Sequence, residues 1–292
     1  MHIASDVWKN LWRSALTLSL IDKVDFHVHV AERYPYNYSV EEVIREAERR
    51  GLSYMTITDH WRPYDPDPCT FLWERREIDK IKTKVKVFLS AEVDIVDSEG
   101  HSPVEPLLHK EVIEAMDYLS AASHLGEPWI CEYGNSRIPM DRLEIIEYEH
   151  KKHLSILRSE LFDVVLHPYG STVAWLHREG YAKTLSLKEI PEAYLREFAE
   201  YAAHYGKGVE INNVPLAAEK EGVKGYERIT EGYETFIKIL LEKGAKLTIG
   251  SDCHYCDKHW HWPGWTKEAA QIIKHCGGSD EDLWFPKGIR DD

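Results

Sequence analysis

The stretch Val24-Asp25-Phe26-His27-Val28-His29 decides how this chain folds. It is a short β-rich run ending in a polar residue, and strict alternation would point Asp25, His27 and His29 to one face of a strand end. Two imidazoles on one face can share a cation, although His-x-His alone is equally a pair of packed or solvated histidines. Six further runs repeat the arrangement: Tyr54-Met55-Thr56-Ile57-Thr58, Val85-Lys86-Val87-Phe88-Leu89, Tyr118-Leu119-Ser120-Ala121, Val164-Val165-Leu166, Gly208-Val209-Glu210-Ile211 and Lys246-Leu247-Thr248-Ile249. Each leads into a polar group. His60, Glu92, His124, His167, Glu210 and Asp252 follow His29 at successive intervals of 31, 32, 32, 43, 43 and 42 residues.

Between the runs lie helical patterns such as Val40-Glu41-Glu42-Val43-Ile44-Arg45-Glu46-Ala47, with Ser39 as N-cap and Gly51 as stop. Strand and helix in strict alternation mean a parallel sheet. One polar group per unit is the pattern of a closed barrel whose site lies at the C-terminal face of its strands. An open doubly wound sheet would instead gather its ligand at one switch point. Seven units predict an α/β chain folded as a distorted (β/α)7 TIM-like barrel. No Ser/Gly linker divides it, so residues 1–292 read as a single domain. Within it, Trp8, Leu11, Trp12, Ala15 and Leu16 predict a helix over 1–20 capping the barrel floor. A long loop from 127 precedes a helix starting near Asp141, and 257–292 form a C-terminal extension.

Composition excludes several function classes. With 43% hydrophobic and 29% charged residues the chain reads as globular, neither disordered nor membrane-embedded. Lys+Arg 36 against Asp+Glu 50 leaves a net charge of −14, which repels polyanions and argues against a duplex nucleic acid partner. Five cysteines and no secretory leader suggest a reducing, cytoplasmic setting with no membrane anchor. Cys253-x-x-Cys256 lacks the second pair a structural zinc needs. Histidine is the outlier, at 16 residues.

Those histidines are placed rather than scattered. Thr58-Asp59-His60, Ala91-Glu92, Ser123-His124, Leu166-His167-Pro168 and Ser251-Asp252-Cys253-His254 all stand at strand ends. Three or more histidines with two carboxylates in one mouth make a mixed N/O site suited to zinc, manganese or iron, and too nitrogen-rich for calcium or for magnesium alone.

As an ordered set, Asp25-x-His27-x-His29, Thr58-Asp59-His60, Glu92, His124, Leu166-His167-Pro168, Glu210-Ile211-Asn212 and Ser251-Asp252-x-His254 resemble the PHP (polymerase and histidinol phosphatase) family of metal-dependent phosphoesterases, over roughly residues 24–256. The likeness is greatest to the stand-alone histidinol-phosphatase-like branch. The resemblance implies that His27, His29, Glu92 and Asp252 hold one metal, that Glu92 bridges to a second held with His124 and His167, and that His60 and His254 hold a third. The family pattern adds a His or Asp shortly after the His-x-His pair. Here Val30-Ala31-Glu32-Arg33-Tyr34-Pro35-Tyr36 has no histidine, and Glu32 is the carboxylate that stands there. The resemblance further implies a histidinol phosphate-like substrate and a place in histidine biosynthesis.

The ligand set itself suits hydrolysis at phosphorus. Two metals about 3.5 to 4 Å apart share a bridging hydroxide and brace the attacking and leaving oxygens of an in-line displacement. The leaving alkoxide then needs a proton, for which Asp59, His60 and His254 are the candidates. Arg33 and Arg62, each just past a ligand, are candidates for the phosphate oxygens, and guanidinium suits them by its forked, permanent charge. Arg137 and Arg178 lie on longer loops. Asp25, Glu210 and Asn212 are read as hydrogen-bonding groups behind the ligands. The tract His259-Trp260-His261-Trp262-Pro263-Gly264-Trp265 either stacks on a planar substrate group or packs as a lid.

The function expected is hydrolysis of a small phosphomonoester. A phosphodiesterase or exonuclease on nucleotides or short oligonucleotides is the first rival. An amidohydrolase-like amide or lactone hydrolase also opens with His-x-His, but the Glu on the third strand and the terminal Asp-x-His speak against it. A non-catalytic barrel subunit should have lost ligands, and all eight candidate ligands are present.

Overall fold

Runs rich in β-branched and aromatic residues, buried on both faces, become seven strands. They are β1 (Val24–Val28), β2 (Tyr54–Trp61), β3 (Lys86–Asp94), β4 (Ser120–Ala122), β5 (Val164–Val165), β6 (Gly208–Asn212) and β7 (Lys246–Gly250). A computed structural model of the chain describes residues 19–30, 39–63, 68–124, 141–254 and 262–287. The strands pair in sequence order and every pair is parallel. The sheet nearly closes on itself: Val28 bridges Cys253 in parallel, Asp252 N donates to His27 O at 2.9 Å and His29 N to Cys253 O at 3.2 Å. This is the expected (β/α)7 barrel, with Cys253 buried in the β1/β7 seam.

The helices form where the local signals placed them. Ser39 caps Val40–Arg50 through a reciprocal box with Glu42, and Gly51 ends it at φ 76, a cap of this kind contributing about 1 kcal/mol. Asp141 caps Arg142–Arg158 by accepting from Leu143 N and Glu144 N at 2.8 and 2.9 Å. Apolar stripes such as Val43, Ile44 and Ala47 pack onto the sheet. Among the described residues no helix is long and apolar enough to cross a membrane.

The floor of the barrel is filled by the chain's C-terminal part. Trp284 N donates to Leu247 O at 2.8 Å, and its ring lies 5.0 Å from Tyr118. Phe285 meets Phe26 and Tyr54 at 5.4 and 5.0 Å. A Cβ on Gly208 would come within 2.9 Å of Trp284 Cγ, so this close approach requires glycine. The helix expected over 1–20 lies outside the described residues except for Ser19 and Leu20, where a 3-10 turn, Leu20–Asp22, begins. The loop expected from 127 lies outside them up to Asp141, as do Arg33, Glu32, Arg137 and Cys256.

Candidate metal centre

The barrel brings the candidate ligands to one mouth because each stands at or just past the C-terminal end of its strand. The pairing of His60 on β2 with Glu92 on β3, and of Glu92 with Ser120 on β4, levels those ends. His27 Nε2 lies 3.0 Å from His29 Nε2, and these two stand 3.7 and 3.5 Å from Asp252 Oδ1. On the other side His124 Nε2 and His167 Nε2 approach Glu92 Oε1 at 3.2 and 2.7 Å. Glu92 Oε2 faces His27 Nε2 and His29 Nε2, each at 3.4 Å, and His60 Nδ1 at 3.0 Å. His60 Nε2 and His254 Nε2 meet at 3.1 Å.

Among the described residues, four clusters of such donors could hold a metal ion: His27/His29/Asp252, Glu92/His124/His167, His29/His60/His254 and His27/His167/Glu210. The donor chemistry fits. His27 Nδ1 faces Glu210 Oε1 at 2.8 Å and so carries the proton, leaving its Nε2 lone pair aimed at His29. Two imidazole lone pairs 3.0 Å apart repel unless a proton or a cation lies between them. Asp252 Oδ1 and Glu92 Oε2 are buried without a hydrogen-bond partner, which is costly unless another charge satisfies them. Donor spacings of 3.0 to 3.7 Å match the edge of a coordination polyhedron with bonds of about 2.1 Å.

The electrostatics agree. Burial raises Glu92, but His60, His124 and His27 outweigh it and hold the carboxyl well below the usual range. Asp252 is likewise raised by burial and driven well below its usual value by His254 and His27. Burial lowers His27, while Glu210, Asp252 and Glu92 raise it well above 6.5.

Groups behind the ligands fix their orientation. Glu210 accepts from His27 Nδ1 with one oxygen and from His167 N, at 2.6 Å, with the other. Asn212 Nδ2 donates to Asp252 Oδ2 at 2.9 Å while its Oδ1 caps the following helix at Val214 N. Asp94 takes His124 Nδ1 at 2.5 Å. Sequence reading missed Asp94, although its position two residues past Glu92 puts it on the same strand face.

Three placements differ from the sequence-based expectation. Asp59 is buried, with Oδ1 accepting from Val30 N at 2.8 Å and facing His29 Nδ1 at 3.4 Å. Burial raises its carboxyl, but His29 and Glu74 bring it down to about 2, so it stands ionised behind His29. Asp25 does not share the ligands' face, because a register shift between Asp25 and Val28 interrupts the alternation. Its carboxylate instead ties the seam through Ser251 N at 2.8 Å and Gly264 N at 2.6 Å, and burial lifts its pKa to about 6 against those bonds. Of the tract 259–265, His259, Trp260 and His261 lie outside the described residues, and Trp262 and Trp265 do not stack at the mouth. They flank the Arg50 guanidinium at 5.8 and 5.2 Å, beside the start of β2, at the opposite end from His60.

Arg62 follows β2 and is half-buried on the rim. Arg178 ends Gly170–Arg178 and pairs on the surface with Glu179 at 3.1 Å. His254, with 35% of its side chain exposed, reaches Asp252 Oδ1 at 2.9 Å. The only non-glycine residues with positive φ among those described are His167 at 28°, Tyr169 at 61° and Asp252 at 46°. Two of them are candidate ligands, and strain of this kind gathers at functional sites.

The PHP domain family model matches residues 25–214. A probable phosphatase of Thermoanaerobacter sp. is 23% identical over 262 residues, 88% of each chain. A probable phosphatase of Photobacterium profundum is 27% identical over 236 residues, covering 80% of this chain and 78% of its own. Histidinol phosphate phosphatase from Lactococcus lactis subsp. lactis, solved with zinc, L-histidinol and phosphate, superposes with a TM-score of 0.59 at 17% identity over 88% of this chain and 94% of its own. That likeness shows the barrel fold. With the family model spanning most of the barrel and its strand-end residues, this chain belongs to the PHP domain family.

Proposed function

We propose that this chain hydrolyses a small phosphomonoester at a site holding two or three zinc, manganese or iron ions. The hydrolase class rests on the family and on relatives named as probable phosphatases. One observation carries the reading: the two oxygens of Glu92 face different nitrogen clusters, Oε1 toward His124 and His167 and Oε2 toward His27, His29 and His60. A carboxylate so placed is built to be shared between neighbouring cations.

His27, His29, Glu92 and Asp252 would hold one ion, and Glu92, His124 and His167 a second. His60 and His254 are the donors for a third with His29. When bound, such ions supply an activated water and polarise a phosphoryl oxygen. The chain's own residues do the rest. Glu210, Asp59 and Asp94 fix the tautomers of His27, His29 and His124 so that the opposite nitrogens stay available. His254, half-exposed at the mouth and beside Asp252, is the best placed group to hand a proton to a leaving alkoxide. Arg62 would take phosphate oxygens from the rim, and Arg33, outside the described residues, is the second candidate by its place in the sequence. The likeness to a histidinol phosphate phosphatase makes histidinol phosphate the first substrate to try.

The test is phosphate or nitrophenol release by manganese-reconstituted protein on matched monoesters and diesters, with a metal-stripped control and histidinol phosphate among the monoesters. Metal-dependent monoester turnover is expected. Turnover confined to diesters would reassign the chain as a phosphodiesterase, and silence on both with metal bound would direct the search to amides and lactones.

A further inference from the structure

A second set of buried titratable side chains lies one layer behind the mouth, on helix Arg142–Arg158. Glu149, His150, Lys152 and His153 are all buried there. His153 Nδ1 donates to Glu149 O at 2.7 Å, so its Nε2 carries the lone pair and accepts the main-chain N–H of Tyr169 at 3.1 Å. Burial pushes His153 down to about 4, which keeps it neutral for that role. His150 Nε2 faces Glu197 Oε2 at 3.0 Å, leaving Nδ1 to accept the Tyr169 hydroxyl at 2.8 Å. Tyr169 is thus held at its backbone and at its ring tip, with its ring 4.5 Å from that of His153.

What is held there is strained. Tyr169 at φ 61° and His167 at φ 28° stand two residues apart in one turn, and a left-handed non-glycine residue persists only where its surroundings over-determine it. The same helix also reaches the neighbouring strand end. Glu149 accepts the Ser123 hydroxyl at 2.5 Å, pairs with Lys152 Nζ at 3.3 Å, and so anchors the residue that precedes His124.

We propose that Glu149, His150 and His153 are positioning residues for the second cation site, the helix clamping the two turns that present His124 and His167 so that the Glu92/His124/His167 cluster is preformed. This rests on the dinuclear reading above and deepens it. The first cluster, His27, His29 and Asp252, takes its support from Glu210, Asn212 and Asp59 instead. The clamp therefore acts on one of the two sites.

The experiment is metal analysis and cobalt titration, followed by absorbance, on the full chain as wild type, His153→Leu, His153→Gln and Tyr169→Phe. Wild type should take up at least two equivalents. In His153→Leu the first should bind as in wild type and the second roughly 10–100-fold more weakly, the range for groups that orient ligands, with an altered cobalt spectrum for that equivalent. His153→Gln, whose amide oxygen can accept the Tyr169 N–H, should recover most of the loss. Tyr169→Phe should show a smaller effect of the same kind, and carries the test alone if His153→Leu does not fold. Wild-type uptake of both equivalents in every variant overturns the clamp, and so does equal weakening of both. Uptake of fewer than two by wild type overturns the dinuclear reading and the clamp with it.

Discussion

Gly250 on β7 and Glu210 on β6 compete for one space: a Cβ at 250 would lie 2.1 Å from Glu210 Oε1 and 2.5 Å from the Cβ of His27. Glu210 can reach His27 Nδ1 only because residue 250 has no side chain. Gly250→Ala should therefore displace the carboxylate, weaken the first metal roughly 10–100-fold and cost about 1–3 kcal/mol by overpacking. Metal analysis and a urea melt of the variant would check both numbers.

Glu92→Ala should do more damage than the loss of any group behind the ligands, because it removes a donor from both clusters at once. Metal content should fall below one equivalent and turnover should be lost. Metal content and activity unchanged from wild type would refute the bridging scheme.

Asp59→Asn separates two roles for a residue that sequence alone left as a candidate acid. Because Asp59 sits behind His29 with its carboxyl held at about 2, its loss should lower kcat across the whole pH–rate profile by roughly 10–100-fold. A profile that instead loses only its alkaline limb would make Asp59 the proton donor.

His153 gives the metal-free protein an acid sensitivity. Burial lowers it from 6.5 to about 4, so the fold favours its neutral form. The stability this contributes is whole above pH 6.5 and is lost as pH falls toward 4, amounting to about 2 kcal/mol near pH 5. Urea melts of metal-stripped protein at pH 7 and 5 should show that much more loss in wild type than in His153→Gln. Equal losses would mean that His153 is protonated in the fold.

Much of this was legible in the chain because barrel strands and their end residues are local patterns. Each strand needed only a short buried run, and each ligand only its place after that run, so His29, His60, Glu92, His124, His167 and Asp252 could be read in order. Asp25 could not be placed, because the register shift next to it arises in the pairing of β1 with β2, and the groups it bonds, Ser251 N and Gly264 N, lie 226 and 239 residues later in the chain. Trp262 and Trp265 misled for a similar reason: they follow the last strand and His254 in sequence, while Arg50, on which they pack, precedes the start of β2.

The sequence by itself determined the alternation of strands and helices, the seven units and the donors at their ends, since periodicity, caps and residue type are properties of neighbours along the chain. Only the tertiary structure decided which nitrogen of each histidine faces the mouth, that Asp59, Asp94 and Glu210 stand behind the ligands, and that Glu149, His150 and His153 brace the turns at His124 and His167. Most of those relationships join residues from different βα units, and only the register in which the barrel closes brings such atoms within 2.5 to 3.4 Å of one another.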